Sequence, residues 1–303
     1  MFKVERLVDR PDLDVAAVTC GQHEAGWSPP ETAPDYRLVL VRHGRFRRRV
    51  AGRTADLDPS VGYIGVPSDE EHFAHPAGSD VCTSIRLRPA LWHTLTPGPA
   101  VRARSFYVDG ALDLAHRRLL RAAGTGDVEY AVVEHLVTLL SSALRSGLER
   151  DPGAGPPGTA TSPRHGRTRA AAAGGAAGGA AGAAAGGAAR AVSREAADRA
   201  LVGRAREAIR ADDPAAGGLV ALAAELGVSP FRLSRAFSTC LGVSLTRYRN
   251  RVRVERALDR LEQGADDLAR LAAELGFADQ AHLCRTMRQH VGHPPSAVRR
   301  LLT

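Results

Sequence analysis

Lysine is almost missing from this 303-residue chain: Lys3 is the only one, so the formal net charge of +8 is carried by arginine. Arginine, alanine and glycine are abundant throughout, and the charge alone only nominates an anionic partner, either nucleic acid or an anionic membrane surface. Cysteine is scarce as well. Cys20, Cys82, Cys240 and Cys284 are scattered with no C-x-x-C pair, which excludes a dense disulfide framework and fits a reduced, cytoplasmic compartment. No run of about 18 apolar residues occurs, and MFKVERLVDRPDLDV lacks the apolar core of a signal peptide, so no membrane association is expected. The length allows roughly two domains, each with its own core.

What is there falls into three textures. From Asp151 to about 190 the chain is built of alanine, glycine and proline with almost no large apolar side chain, too little to offset the entropy of ordering it. A flexible linker over 151–190 is expected, dividing a domain at 1–150 from one at 191–303. Before it, RLVLVRHGRFRRRVAGRTADL, VGYIGVP and VCTSIRLRP cluster β-branched residues between Gly, Pro and Asp, as short antiparallel strands do. Residues up to about 108 read as an all-β barrel or sandwich. From Val128 to Leu148 the period changes: Val132, Leu136, Leu140 and Leu144 form an apolar stripe at i+4, the signature of an amphipathic helix.

After the linker everything reads as helix, and one phrase is said twice: LAAELG at 222–227 and again at 271–276. In the first copy a short helix ends at Gly227, and Ser229 caps a second helix opened by Pro230. Leu233, Phe237, Cys240 and Leu241 then share one face, while Phe231, Ser234, Arg235 and Ser238 share the opposite one. The second copy repeats the plan with one extra residue after the turn. Leu283, Met287 and Val291 face inward; Ala281, Cys284, Arg285 and Arg288 face outward, with Gln280 and His282 near the helix start. Two helix-turn-helix units in tandem are therefore expected, joined by one continuous helix from Ser244 to Gly264.

Residues 201 to 303 resemble the AraC/XylS-type transcriptional regulators. The matching motifs are S-x-x-x-L-S-R-x-F at Ser229 to Phe237, G-x-S at Gly242 to Ser244, R-V-x-x-A at Arg253 to Ala257, L-A-x-x-x-G-F at Leu271 to Phe277, L-x-R at Leu283 to Arg285, and G-x-x-P-S at Gly292 to Ser296 followed by Arg299. Met287 and Val298 stand where that family usually has aromatics, and Ala281 replaces a longer polar residue. The resemblance implies a DNA-reading surface made of Phe231, Arg232, Ser234, Arg235 and Ser238 in the first unit. In the second unit it implies Gln280, Ala281, His282, Cys284, Arg285 and Arg288. Arg235 and Arg285, equivalent in the two copies, suit bidentate contacts to guanine or phosphate. The resemblance places Arg253 on the connecting helix, where a structural ion pair or carbonyl contact is expected, and Glu225 and Glu274 are expected to serve as surface or intradomain partners.

The N-terminal region resembles the cupin-like arm of the same regulators through GRFRRRVAGR, the P-x-x-x-x-H of Pro67 to His72 and the H-P-x-G-x-D-x-C-T of His75 to Thr83. That resemblance implies a barrel that senses a small-molecule effector, followed by helices that dimerise; the Val132 to Leu144 stripe buries itself either on its own barrel or against a second chain, and the resemblance favours the second chain. A cupin-type metal enzyme fused to a DNA-binding domain is the alternative. Glu70, Glu71, His72, His75 and Cys82 are the candidate ligands for it, but they lack the H-x-H and spaced Glu that a metal with open positions requires. The expectation is thus an α+β multidomain chain, with a cupin-like β-barrel plus trailing helices and then an all-α domain of two helix-turn-helix units. Its function is sequence-specific transcription regulation, with no catalytic residue, metal or cofactor. The partners expected are promoter double-stranded DNA, a small-molecule effector, RNA polymerase and a second copy of the chain.

Overall fold

The computed structural model describes residues 2–21, 25–96, 105–126, 130–148 and 179–302, apart from the side chains of 147–148 and 179–192. Val128 and residues 151–178 of the expected linker lie outside the described residues. Two compact units result, Met1–Asp151 with Thr246–Thr303, and Pro152–Leu245. They divide the chain differently from the 1–150, 151–190 and 191–303 segments read from composition.

Among the described residues the first unit contains nine strands: β1 (Phe2–Asp9), β2 (Leu13–Cys20), β3 (Tyr36–His43), β4 (Phe46–Val50), β5 (Arg53–Leu57), β6 (Val61–Gly65), β7 (Glu71–Ala74), β8 (Asp80–Leu87) and β9 (Ser105–Tyr107). All pairings are antiparallel, giving a six-stranded sheet ordered β1-β2-β8-β3-β6-β9 and a three-stranded sheet ordered β5-β4-β7. Helix α1 (Pro89–Leu95) interrupts the region read as all-β, while α2 (Gly110–Thr125) and α3 (Ala131–Leu148) follow it.

Strand alternation explains how the large sheet is buried on both sides. Leu13, Val15, Leu38, Leu40, Ile64, Ile85 and Leu87 point one way and join Trp92, Leu112, Leu119, Val132, Leu136 and Leu140 from the helices in one core. The alternate residues face the small sheet: Arg37 of β3 bonds Glu71 of β7, and the Arg48 guanidinium of β4 lies 4.2 Å over the Tyr63 ring of β6. Two antiparallel sheets enclosing a side-chain interior, with helices behind, make a two-sheet β-barrel domain.

The apolar stripe on α3 is committed to this core, which corrects the expectation that it pairs with a second chain. Val132, Leu136 and Leu140 are at most 1% exposed, and Leu144 packs against the same cluster. The helix docks on α2 and β9, and there the hydrophobic gain of about 1.5–3 kcal/mol per buried side chain is realised within one chain.

Thr246–Thr303 belongs to the same unit. It contains α7 (Leu245–Glu262) apart from its first residue, then α8 (Leu268–Glu274), α9 (Gln280–Val291) and α10 (Pro295–Leu302). Their shared core of Leu258, Leu271, Phe277, Leu283, Met287 and Val298 also takes in Leu114 of α2. The second unit contains α4 (Gly179–Arg210), whose first residues fall within the stretch expected to be linker, followed by α5 (Leu219–Glu225) and α6 (Pro230–Leu241). Leu201, Val202, Leu222, Ala223, Leu233 and Phe237 are among its buried apolar residues, and α6 packs on both α4 and α5.

Candidate nucleic-acid interface

The doubled phrase folds the same way twice. In the first copy Val228 N–H donates to Ala223 O at 2.9 Å and Gly227 N–H to Ala224 O at 3.0 Å; in the second, Phe277 N–H donates to Ala272 O at 2.9 Å and Gly276 N–H to Ala273 O at 3.1 Å. This paired bonding closes a helix through a left-handed residue, and Gly227 and Gly276 adopt φ of +67° and +68°. At Gly276 a Cβ would also stand 3.2 Å from Arg253 Nη2. Arg253 lies over the Phe277 ring at 5.7 Å and braces the turn through that aromatic contact.

The second helix of each unit, α6 and then α9, starts on a side-chain cap. Ser229 Oγ accepts from Arg232 N–H at 3.2 Å with Pro230 in the first turn, and Asp279 Oδ1 accepts from His282 N–H at 2.5 Å. The inner faces are as read from spacing for Leu233 and Phe237 and for Leu283, Met287 and Val291, all buried, whereas Cys240 and Leu241 are half-buried. On the outer face of α6, Phe231 is 75% exposed; Arg232, Arg235 and Ser238 are exposed and Ser234 is half-buried. On α9, Gln280, Ala281, Arg285 and Arg288 are exposed, while His282 and Cys284 are half-buried. His282 is engaged locally, accepting from Ala278 N–H at 3.3 Å and meeting the Phe277 ring edge-on. Arg232 comes within 3.8 Å of Asp198 on α4. Neither α6 nor α9 contains an acidic residue, so both outer faces present only arginine charge to solvent. Glu274 pairs with Arg270 at 2.7 Å and Arg260 at 2.9 Å.

One group that sequence reasoning did not single out ties the second helix-turn-helix to the barrel. Arg251 of α7 is 1% exposed. Its Nε donates to Val108 O at 2.9 Å, Nη2 meets Asp113 Oδ2 at 3.0 Å, and Nη1 meets Glu255 Oε2 at 3.2 Å. Arg117 of α2 reaches Asp113 at 2.9 Å and both Asp259 and Glu262 at 2.7 Å, and Arg121 donates to Leu302 O at 2.7 Å. Burial alone would raise the Asp113 carboxyl, but the Arg251 and Arg117 guanidiniums hold it below the usual carboxylate range. The only trace of this in the sequence is an arginine flanked by Tyr248, Val252 and Val254, with a glutamate four residues on.

A cavity of about 260 Å³ sits beside this lock, between β3, α2 and α7, and is lined by Arg42, Asp113, His116, Arg117, Glu255 and Asp259 among others. His116 donates to or accepts from Thr83 Oγ1 at 2.8 Å, and burial pushes its pKa down to about 3. The five residues weighed as metal ligands do not come together. Glu71 is bonded by both Arg37 and Arg48, Glu70 is largely exposed, His72 Nδ1 meets Ser28 O at 3.0 Å, and burial pushes Cys82 up to about 12.

Residues 222–301 match the family model of a helix-turn-helix domain. The match covers the two helix-turn-helix units from α5 to α10, which is what the doubled turn and the exposed helix faces show by themselves. Among solved structures, this chain is similar to a cupin superfamily protein from Desulfitobacterium hafniense DCB-2 (14% identity, 29% of this chain and 78% of that one, TM-score 0.26). It is also similar to a cupin 2 conserved barrel domain protein from Salinispora arenicola CNS-205 (12%, 30% and 78%, 0.26) and to KdgF from Halomonas sp. (13%, 28% and 79%, 0.26). No curated protein matches the chain. Among the described residues no helix is long and apolar enough to cross a membrane.

Proposed function

We propose that the protein is a cytoplasmic, sequence-specific transcription regulator whose α6 and α9 read successive major grooves of promoter DNA under control of a small-molecule effector bound by the N-terminal domain. The observation that carries this reading is the duplication itself: the same glycine turn, the same kind of side-chain cap and the same exposed arginine recur at Arg235 and Arg285. The effector reading is supported by the cavity at the α2–α7 lock, where a bound molecule alters contacts that join the barrel to the second reading unit. The reading assigns the chain no catalytic step. It includes RNA polymerase as a partner and a homodimer, the latter using the outer side of α3, where Val137 is 40% exposed beside Tyr130 at 81%.

The test separates reading from holding. Wild-type protein protects about 20 bp, with contacts in two major grooves about 34 Å apart. Arg235→Ala and Arg285→Ala each weaken specific binding by about 1–3 kcal/mol without changing the thermal midpoint. Leu233→Ala, fully buried, costs about 2–5 kcal/mol of stability. Equal losses of stability in the arginine and leucine variants refute the assignment of faces.

A further inference from the structure

Three potential metal-donor side chains outside the DNA-reading surface converge inside the β-barrel domain. Cys20 ends β2, and in the ladder it stands directly opposite Asp80, the first residue of β8. Both side chains project from the face that looks toward the small sheet, because Leu13 and Val15 of β2 and Ile85 and Leu87 of β8 point into the helix-side core. His75 follows β7. The turn from His75 to Asp80 is closed by Gly78 N–H donating to His75 O at 3.2 Å and passes through two residues of positive φ, Gly78 and Ser79, which brings Asp80 back beside the imidazole. The result is His75 Nδ1 at 2.6 Å from Asp80 Oδ2, with donor atoms of Cys20, His75 and Asp80 all within 4.8 Å of one another. It is the only such group among the described residues.

We propose that Cys20, His75 and Asp80 form a binding site for one zinc-class divalent cation, which ties the two sheets of the barrel together at one end. The donor set selects the ion. A thiolate is too soft for magnesium or calcium, a carboxylate does not suit copper(I), and sulfur, nitrogen and oxygen together match zinc, with a fourth position left for a water or another small ligand. Charge balance favours it too: thiolate and carboxylate supply two negative charges, the imidazole none, and a dication cancels them in a site where the three residues are 2%, 7% and 2% exposed. Binding forms the S–metal bond and releases the Cys20 thiol proton to solvent, while the proton shared by His75 Nδ1 and Asp80 moves to Nε2, which leaves a neutral imidazole and a carboxylate as ligands. Ligand atoms around tetrahedral zinc lie about 3.3–3.8 Å apart, so the cluster tightens by about 1 Å at its widest edge while His75 and Asp80 separate by a similar amount.

The surroundings hold the donors in place. The Phe46 ring is stacked on the imidazole at 5.4 Å and Phe2 meets it edge-on at 5.7 Å, an apolar collar of the kind that fixes ligand orientation and limits water. Gly44, at φ +74° in the turn before β4, comes so close that a Cβ there would lie 2.8 Å from Asp80 Cα; only glycine permits the approach that covers this end of β8.

The experiment strips the full-length protein with a chelator and titrates it with Zn²⁺ alone against a chromophoric competitor, then repeats the loading with Co²⁺. One ion per chain is expected, with a cobalt spectrum showing a thiolate charge-transfer band and tetrahedral intensity, and a higher thermal midpoint on loading. Cys20→Ser, His75→Gln and Asp80→Asn each weaken binding by at least about tenfold, and Cys20→Ser removes the charge-transfer band. Cys284→Ser on α9 changes neither. Substoichiometric binding by the wild type, or loss of binding in Cys284→Ser, overturns the proposal. If a cluster variant does not fold, the wild-type cobalt spectrum decides: without a thiolate band the proposal fails.

Discussion

Replacing Arg251 by methionine keeps much of the side-chain volume and removes every donor of the lock between α7 and the barrel. Four polar groups lose a partner at once: the Val108 carbonyl at 2.9 Å, Asp113 at 3.0 Å, Glu255 at 3.2 Å and the Pro59 carbonyl at 3.4 Å. Hydrogen bonds to charged groups contribute about 1.5–3 kcal/mol each, and breaking a buried pair by removing one member costs about 3–5 kcal/mol, because the other charge stays buried. Asp113 keeps Arg117 at 2.9 Å, which places the expected loss at the lower end, about 3 kcal/mol. Urea unfolding of the full-length protein, followed by the fluorescence of buried Trp92 in α1, measures it. Arg251→Lys restores the charge but not the fork, and recovers less than half of the loss. Arg117→Met costs less than Arg251→Met, since its partners Asp259 and Glu262 are more than a third exposed. A loss below about 1 kcal/mol in Arg251→Met refutes the claim that this arginine joins the two parts.

His116 sets a pH dependence. Its folded pKa of about 3 lies below the unfolded value, so its contribution is complete above about pH 6.5 and is lost as pH falls, at about 1.4 kcal/mol per pH unit. Between pH 7 and pH 5 the wild type therefore loses about 2 kcal/mol more than His116→Gln in parallel urea titrations; equal slopes would disprove a buried neutral imidazole. The pair Leu136→Asp and Leu140→Asp, each 1% exposed in the core, unfolds the β-barrel domain and abolishes the Trp92 signal. A folded monomer in light scattering would contradict that burial.

The parts legible in the sequence were those whose signal is local. LAAELG, Ser229-Pro230 and the spacing of Leu233 and Phe237 encode a turn, a cap and a face within a few residues, and the helices follow from them. β1 escaped notice because it is an edge strand with a register shift between Arg6 and Val8 and hardly any burial, so it has no alternation to read. The α3 stripe was visible as apolar, but periodicity names a buried face without naming what covers it. Arg251 was hidden among the arginines of RYRNRVRVERALDRLE, and its partner Val108 lies 143 residues away. Cys20 and Asp80 meet only through strand register, and His75 only through the turn that precedes β8.

Leu114 sits in the same hydrophobic cluster as Val254, Leu258, Met287 and Val291. The two near-identical repeats are therefore unequal as modules. Exchanging everything after the alanine- and glycine-rich stretch for the equivalent part of another regulator would preserve chain continuity and still open a core, stripping Leu114 of its neighbours and leaving the graft to find a new surface for its own. A chimera built at the break between compact units, beside Leu245 and Thr246, keeps that cluster whole and exchanges only α6 with the helices it packs on. The two copies of the repeated phrase are accordingly exchangeable one at a time and not together.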